Sequence, residues 1–187
     1  MSEHKTITEG RFLRFVDVDG WEFVQRTGSS GVVCIVAVTT RRQILLVEQF
    51  RPALNANVIE LPAGLAGDLE DSEESLETAA RRELMEETGY EAQNWTHLCN
   101  IVSSAGLTDE IVTVFRANRL RKTGPGGGDE SESIVVHEVD LDSLNSWLND
   151  AAGSGKCIDS RIYGTMTFLE MSPCQSPNKV INTQRAE

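Results

Sequence analysis

Arg82-Glu83-Leu84-Met85-Glu86-Glu87-Thr88-Gly89-Tyr90 places three carboxylates at i, i+3 and i+4 of a stretch that reads as helix. At about 100° per residue, Glu83, Glu86 and Glu87 share one narrow stripe. Earlier on the same stripe stand Leu76, Ala79 and Ala80, which direct it toward the interior. The opposite face already carries Glu77, Thr78 and Arg81. Three inward anions repel one another and are costly to desolvate unless a cation lies among them. A hard divalent ion with oxygen ligands meets that need. The stretch reads as a metal site, against the plainer alternative of a solvated acidic face held by i, i+4 pairs.

Outward from it, the helix is expected from about Glu73 to Thr88, capped by Asp71 or Ser72 and closed by Gly89. Residues 64–71 read as a loop. Upstream, residues 11–27 form a hairpin about Asp19-Gly20, and Gly28–Gly31 is a joint. Val32–Thr39, Gln43–Phe50 and Asn57–Leu61 read as strands. Downstream come strands at Trp95–Val102, Glu110–Asn118 and Ile134–Val139, and helices at Leu141–Ala151 and Arg161–Met171. Gly124–Ser133 reads as a loose loop, since its glycines lack the context of a phosphate-binding loop. Strands dominate, which gives an α+β layered domain.

With 187 residues and a net charge of -12, one domain with an appended N-terminal hairpin is expected. That charge argues against nucleic acid or an anionic membrane as partner. Cys34, Cys99, Cys157 and Cys174 lack paired spacing and read as reduced thiols. No apolar run approaches membrane-spanning length, and a cytoplasmic enzyme is the default reading. His4, His97 and His137 show no zinc spacing.

Glu74 stands with seven residues between it and Arg82, and with the RELMEETGY run this resembles the Nudix box. That box is Gly, five residues, Glu, seven residues, Arg-Glu-apolar-x-Glu-Glu-x-Gly-apolar. Its glycine falls on Asp68, with Gly67 one place early and Gly64 four. Gly64 is the preferred match, because Glu60-Leu61-Pro62-Ala63-Gly64-Leu65 resembles the opening of the box in the ADP-ribose pyrophosphatase branch. The loop then carries a four-residue insertion, which loops accept cheaply.

The resemblance implies an α/β/α sandwich, a mixed central β-sheet flanked by helices, with residues 1–30 as the hairpin region and 31–187 as the Nudix domain. It implies hydrolysis of a nucleoside diphosphate linked to another group, with two or more Mg²⁺ or Mn²⁺ ions. Glu83, Glu87 and the Ala63 carbonyl would be ligands and Glu86 a further ligand or bridge. Arg82 would orient the glutamates and Glu74 would brace the loop.

Trp21-Glu22-x-x-x-Arg26 and Val47-Glu48-Gln49-Phe50-Arg51-Pro52 resemble the ADP-ribose and nucleotide-sugar branch. In that branch the hairpin is exchanged within a homodimer. Trp21 would stack on the base, Arg26 and Arg51 would hold phosphates or ribose, and Gly64 and Leu65 would line the substrate site. The plainer alternatives are hairpin packing for Trp21 and a structural role for Arg26. For Arg51 the alternative is an ion pair with Glu60. Ser103–Glu110 resembles the branch's mobile loop, with Ala105 in place of a proline. Glu110 matches the loop glutamate proposed as general base, with Asp109 and a helix glutamate as rivals. Lys156 and Arg161, flanking Asp159, either neutralise a terminal sugar phosphate or cap the last helix. The competing functions are another Nudix activity (on a nucleoside triphosphate, a dinucleoside polyphosphate or coenzyme A) and a non-catalytic nucleotide-sugar sensor.

Overall fold

Residues 4–67, 73–128 and 133–169 are described in the computed structural model. The chain runs through β1 (His4–Glu9), β2 (Leu13–Val18), β3 (Trp21–Arg26), β4 (Gly31–Ala37), β5 (Gln43–Arg51), β6 (Ala56–Glu60) and β7 (Ala63–Ala66). It continues through α1 (Leu76–Thr88), β8 (Tyr90–Val102), β9 (Ile111–Lys122) and β10 (Val135–Asp140). A 3-10 turn (Leu141–Ser143) then leads into α2 (Leu144–Gly153), β11 (Cys157–Ile158) and α3 (Ser160–Leu169).

Strand β4 explains the layering. Its Val33, Ile35 and Ala37 join one core while Val32, Cys34 and Val36 join another. A strand apolar on both faces must lie between two layers. It pairs parallel with β9 and antiparallel with β7, giving the order β7-β4-β9-β8. The second sheet runs β10-β5-β6-β11, antiparallel except for β6 with β11. Helix α1 covers one side of β4, burying Ala79, Ala80 and Leu84 against Val33, Ile35 and Phe115. Burying a leucine such as Leu84 contributes about 1.5–3 kcal/mol. On the other side, Leu144 and Leu148 of α2 and Ile162 of α3 pack with Ile44, Leu46 and Ile59. The expected α+β sandwich is the observed one.

Several local expectations change. Helix α1 starts at Leu76, capped by Ser75, whose hydroxyl accepts the Thr78 N–H at 3.1 Å. Asp71 and Ser72 lie outside the described residues, as do Asp68 and Cys174. The C-terminal Gly89 is left-handed, as expected. Residues 64–66, read as the start of a loop, belong with Ala63 to β7, because β4 offers an open edge to pair with. The hairpin gains a third strand, β1, which the polar composition of residues 4–9 concealed. Cys34, Cys99 and Cys157 are free thiols, and burial pushes the Cys34 thiol up to about 12. Among the described residues no helix is long and apolar enough to cross a membrane.

Candidate active site

The C-terminal half of α1 borders a cavity of about 410 Å³ whose walls include Glu83, Glu87, Ala63, Gly64 and Leu65. Glu87 is 2% exposed, and one of its oxygens accepts the Ala63 N–H at 3.1 Å. The Glu83 carboxylate lies against Gly64, where an added Cβ would meet its Cδ at 2.0 Å. Only a glycine leaves room for that carboxylate. The Gly67 N–H donates to Glu74 at 3.2 Å, so this second glycine belongs to the brace of the loop.

The expectation of three equally inward carboxylates needs correction. The Glu83 side chain is 13% exposed but that of Glu86 is 45% exposed. The helix buries a line through Ala80, Leu84 and Glu87, and Glu86 lies about 120° around the axis from Ala80. Glu86 is half-exposed and does not line the cavity. Arg82 binds it at 3.0 Å while reaching Glu83 at 2.8 Å through the same nitrogen. The other guanidinium nitrogens meet Glu74 at 3.1 and 3.2 Å and the Leu65 carbonyl at 2.8 Å. Burial acts to lower the Arg82 pKa, but hydrogen bonds and charge from Glu74, Glu83 and Glu86 hold it above its ordinary value. The Arg82 hydrogen bond in turn holds the Glu74 carboxyl below its ordinary range. Arg82 thus ties the loop, β7 and the helix glutamates into one unit.

Across the cavity stand Arg26, Arg51 and Arg161, with Glu60 and Glu110. Arg51 pairs with the buried Glu60 at 2.8 Å, so the ion pair expected as an alternative is present in a cavity wall. Arg26 pairs with Glu110 at 3.0 Å. Asp109 accepts a hydrogen bond from Gln25 at 2.6 Å and does not line this cavity.

Arg161 binds Asp159 and Glu60. Asp159 also accepts the backbone N–H of Arg161 at 2.7 Å. Asp159 therefore caps the start of α3, while the Arg161 side chain lines the cavity and reaches Glu60 on β6. Lys156 goes elsewhere, to Glu48 at 2.7 Å. Glu60 and Gln49 were missed as wall residues. Trp21 is 77% exposed on β3 and does not line the cavity. His97 binds Asn100 and His137 binds Glu48, both outside it.

A model of the NUDIX domain matches residues 29–158. The chain belongs to the Nudix family. It is 42% identical over 150 residues to an ADP-ribose pyrophosphatase of Bacillus subtilis, covering 80% of this chain and 77% of the relative. It is 32% identical over 190 residues to an ADP-sugar pyrophosphatase of Mus musculus, covering 87% and 84%. The crystal structure of an ADP compounds hydrolase superposes with a TM-score of 0.68 at 21% identity, over 89% of each chain, which supports the fold.

Nudix hydrolases generally need a divalent metal. The donor set of this Nudix hydrolase fits one: two carboxylates on the cavity floor and a backbone held close by a glycine that leaves them room, with Glu86 exposed beside them and outside the cavity lining. Among the described residues no three acids, histidines or cysteines already converge as a ligand cluster. The cavity wall counts four carboxylates against three arginines, so a polyanionic ligand enters favourably only with added cations.

Proposed function

We propose that this Nudix hydrolase cleaves the diphosphate bond of ADP-ribose or related nucleoside diphosphate sugars, giving a nucleoside monophosphate and a sugar phosphate. One observation carries the reading: acids on the cavity floor face three arginines across a space of about 410 Å³. Hydrolysis of a diphosphate needs charge neutralisation and an aligned water more than covalent chemistry. Glu83, Glu86, Glu87 and the Ala63 carbonyl would hold two or more Mg²⁺ or Mn²⁺ ions, which when bound would supply charge neutralisation for the phosphates and lower the pKa of a water. Arg82 orients the three glutamates.

Arg26 and Arg51 bind the phosphates, and both must first leave a carboxylate partner. When Arg26 turns to a phosphate, Glu110 is released to accept a proton from the attacking water. Gly64 and Leu65 line the path of the substrate.

The working form is a homodimer that exchanges the N-terminal region, residues 1–30, between Nudix domains of residues 31–187. Support comes from the exposed apolar side chains of that region: Ile7, Phe12, Leu13 and Trp21. In the dimer Trp21 stacks on the base bound by the partner subunit. The free thiols support a cytoplasmic setting, and the charge of -12 opposes a nucleic-acid partner.

The test is hydrolysis of a substrate panel in ¹⁸O-labelled water, with and without EDTA. ADP-ribose should give AMP and ribose phosphate, with release abolished by the chelator. A decisive preference for nucleoside triphosphates, dinucleoside polyphosphates or coenzyme A would overturn the substrate assignment. Chelator-resistant turnover would overturn the metal assignment.

A further inference from the structure

Gly124-Pro125-Gly126-Gly127-Gly128 reads as a loose loop, yet its backbone is laid against the C-terminal end of α1. The N–H groups of Thr123 and Gly124 both donate to the Gly89 carbonyl, at 2.8 and 3.0 Å. Gly127 donates to the carbonyl of Glu87 at 2.8 Å, and Gly128 to the carbonyl of Glu86 at 3.1 Å. The approach is close from both sides. A Cβ on Gly126 would stand 2.4 Å from the Thr88 carbonyl carbon, and one on Gly89 would stand 2.2 Å from the Gly124 oxygen. Both glycines also have positive φ, 67° and 73°. Steric crowding and backbone conformation together make any side chain strained at either position.

This contact falls where the helix most needs it. The last carbonyls of a helix lack partners within it, and they form the negative end of its dipole. Helix α1 has no basic residue in its last turn and carries Glu86 and Glu87 there. Two carboxylates beside that negative end favour fraying of the turn. The glycine amides oppose it by donating to the carbonyls of those same two residues. A site built from carboxylates needs them held within about 0.5 Å of the productive geometry. A frayed last turn would swing Glu87 out of its contact with Ala63.

We propose that Gly124–Gly128 is a clasp that positions Glu86 and Glu87, and so sets the affinity of the site for its divalent cation. The proposal rests on the reading of Glu83, Glu86 and Glu87 as ligands. Gly126 and Gly89 are its paired close contacts, and Gly127 and Gly128 its donors.

The experiment measures Mn²⁺ binding to the full chain without substrate, from the electron paramagnetic resonance signal of free Mn²⁺. Gly126→Ala should weaken binding about ten- to hundredfold, as losing the support behind metal ligands does. Gly153→Ala, at the end of α2 with nothing near its Cβ, should bind within about twofold of the parent, like a neutral surface change. A merely structural loop would lower the melting temperature and leave the Mn²⁺ affinity of the folded protein unchanged. A folded Gly126→Ala that binds like the parent therefore overturns the clasp while leaving the ligand assignment intact. If the parent itself binds no Mn²⁺, the ligand assignment fails and the clasp with it.

Should Gly126→Ala not fold, hydrogen exchange of the parent decides. Coupling is reciprocal, so saturating Mg²⁺ should slow exchange of the Gly127 and Gly128 amides severalfold. Unchanged exchange at both overturns the proposal.

Discussion

Glu83 and Glu87 are held by one helix and the strand beside it, whereas Arg26 and Glu110 meet across 84 residues of sequence. The floor of the cavity is fixed by backbone: β7 pairs with β4, Ala63 donates to Glu87, and Gly64 makes room for Glu83. The facing wall depends on side chains at the foot of a three-stranded sheet. Arg26 meets Glu110, Gln25 meets Asp109, and the Val24 N–H meets the Leu107 carbonyl at 2.8 Å. A floor of this kind is in place before any ligand arrives. A wall closed by side-chain ion pairs can open when phosphates compete for the arginines. The two walls should therefore respond differently to substitution.

The sharpest break in the comparison is expected at the floor. Glu83→Gln and Glu87→Gln should each lower kcat by about 10³-fold at saturating Mg²⁺, since a metal-held phosphate is worth several kcal/mol. Circular dichroism should show the fold retained, because Gln fills the same volume. Turnover within about tenfold of the parent in both variants would remove the floor from the chemistry.

At the facing wall, Glu110→Gln should lower kcat by about 10²-fold, as loss of a general base does. Asp109→Asn should leave kcat nearly unchanged, because Asp109 is engaged with Gln25 and does not line this cavity. The reverse ranking in steady-state rates would transfer the base role to Asp109.

The same contrast accounts for what the sequence discloses. The helix glutamates are legible from the helical period, whereas Arg82, Glu74 and the glycine of β7 are found through the resemblance to the Nudix box. Even on the helix the period misjudges Glu86, since a stripe one residue too wide counts a half-exposed position as interior. The pairing of Arg26 with Glu110 and the convergence of Arg161 on Glu60 span 84 and 101 residues. No local pattern encodes such meetings. The glycine run at 124–128 shows the converse error. Its composition matches a flexible linker, but the same lack of side chains permits the close backbone contact with α1. Strand β7 is hidden for a related reason, since its residues become a strand only because β4 offers an edge.

A third cluster, outside the cavity lining, extends the comparison to stability. Buried Glu48 accepts hydrogen bonds from Lys156 at 2.7 Å and from Asn57 and His137 at 2.9 Å. Burial would raise its pKa, but these partners prevail and lower it from 4.5 to about 2. A carboxyl depressed by folding stabilises fully above its unfolded pKa and ceases to do so as the pH falls through its folded one. Glu48→Gln should thus cost about 2 kcal/mol in urea denaturation at neutral pH, the scale of a buried charged hydrogen bond. The difference should shrink between pH 4.5 and about 2. A cost independent of pH would assign the effect to packing instead of charge. The kcat of the folded variant should stay near the parent value, which separates this cluster from both cavity walls.

The smallest effect belongs to Trp21, on the sheet that carries the facing wall. Because it is 77% exposed, Trp21→Ala should change stability by under about 0.5 kcal/mol. Loss of base stacking should raise KM roughly three- to tenfold with kcat unchanged. Mixed dimers decide whose cavity the tryptophan serves. When Trp21→Ala subunits are paired with Glu87→Gln subunits, each intact floor belongs to a subunit lacking its own tryptophan. If the hairpin is exchanged, the partner's Trp21 reaches that floor, and KM in the mixed population returns to the parent value. A KM that stays high confines each hairpin to its own subunit. The facing wall would then be as self-contained as the floor, and the contrast between them would reduce to one of rigidity.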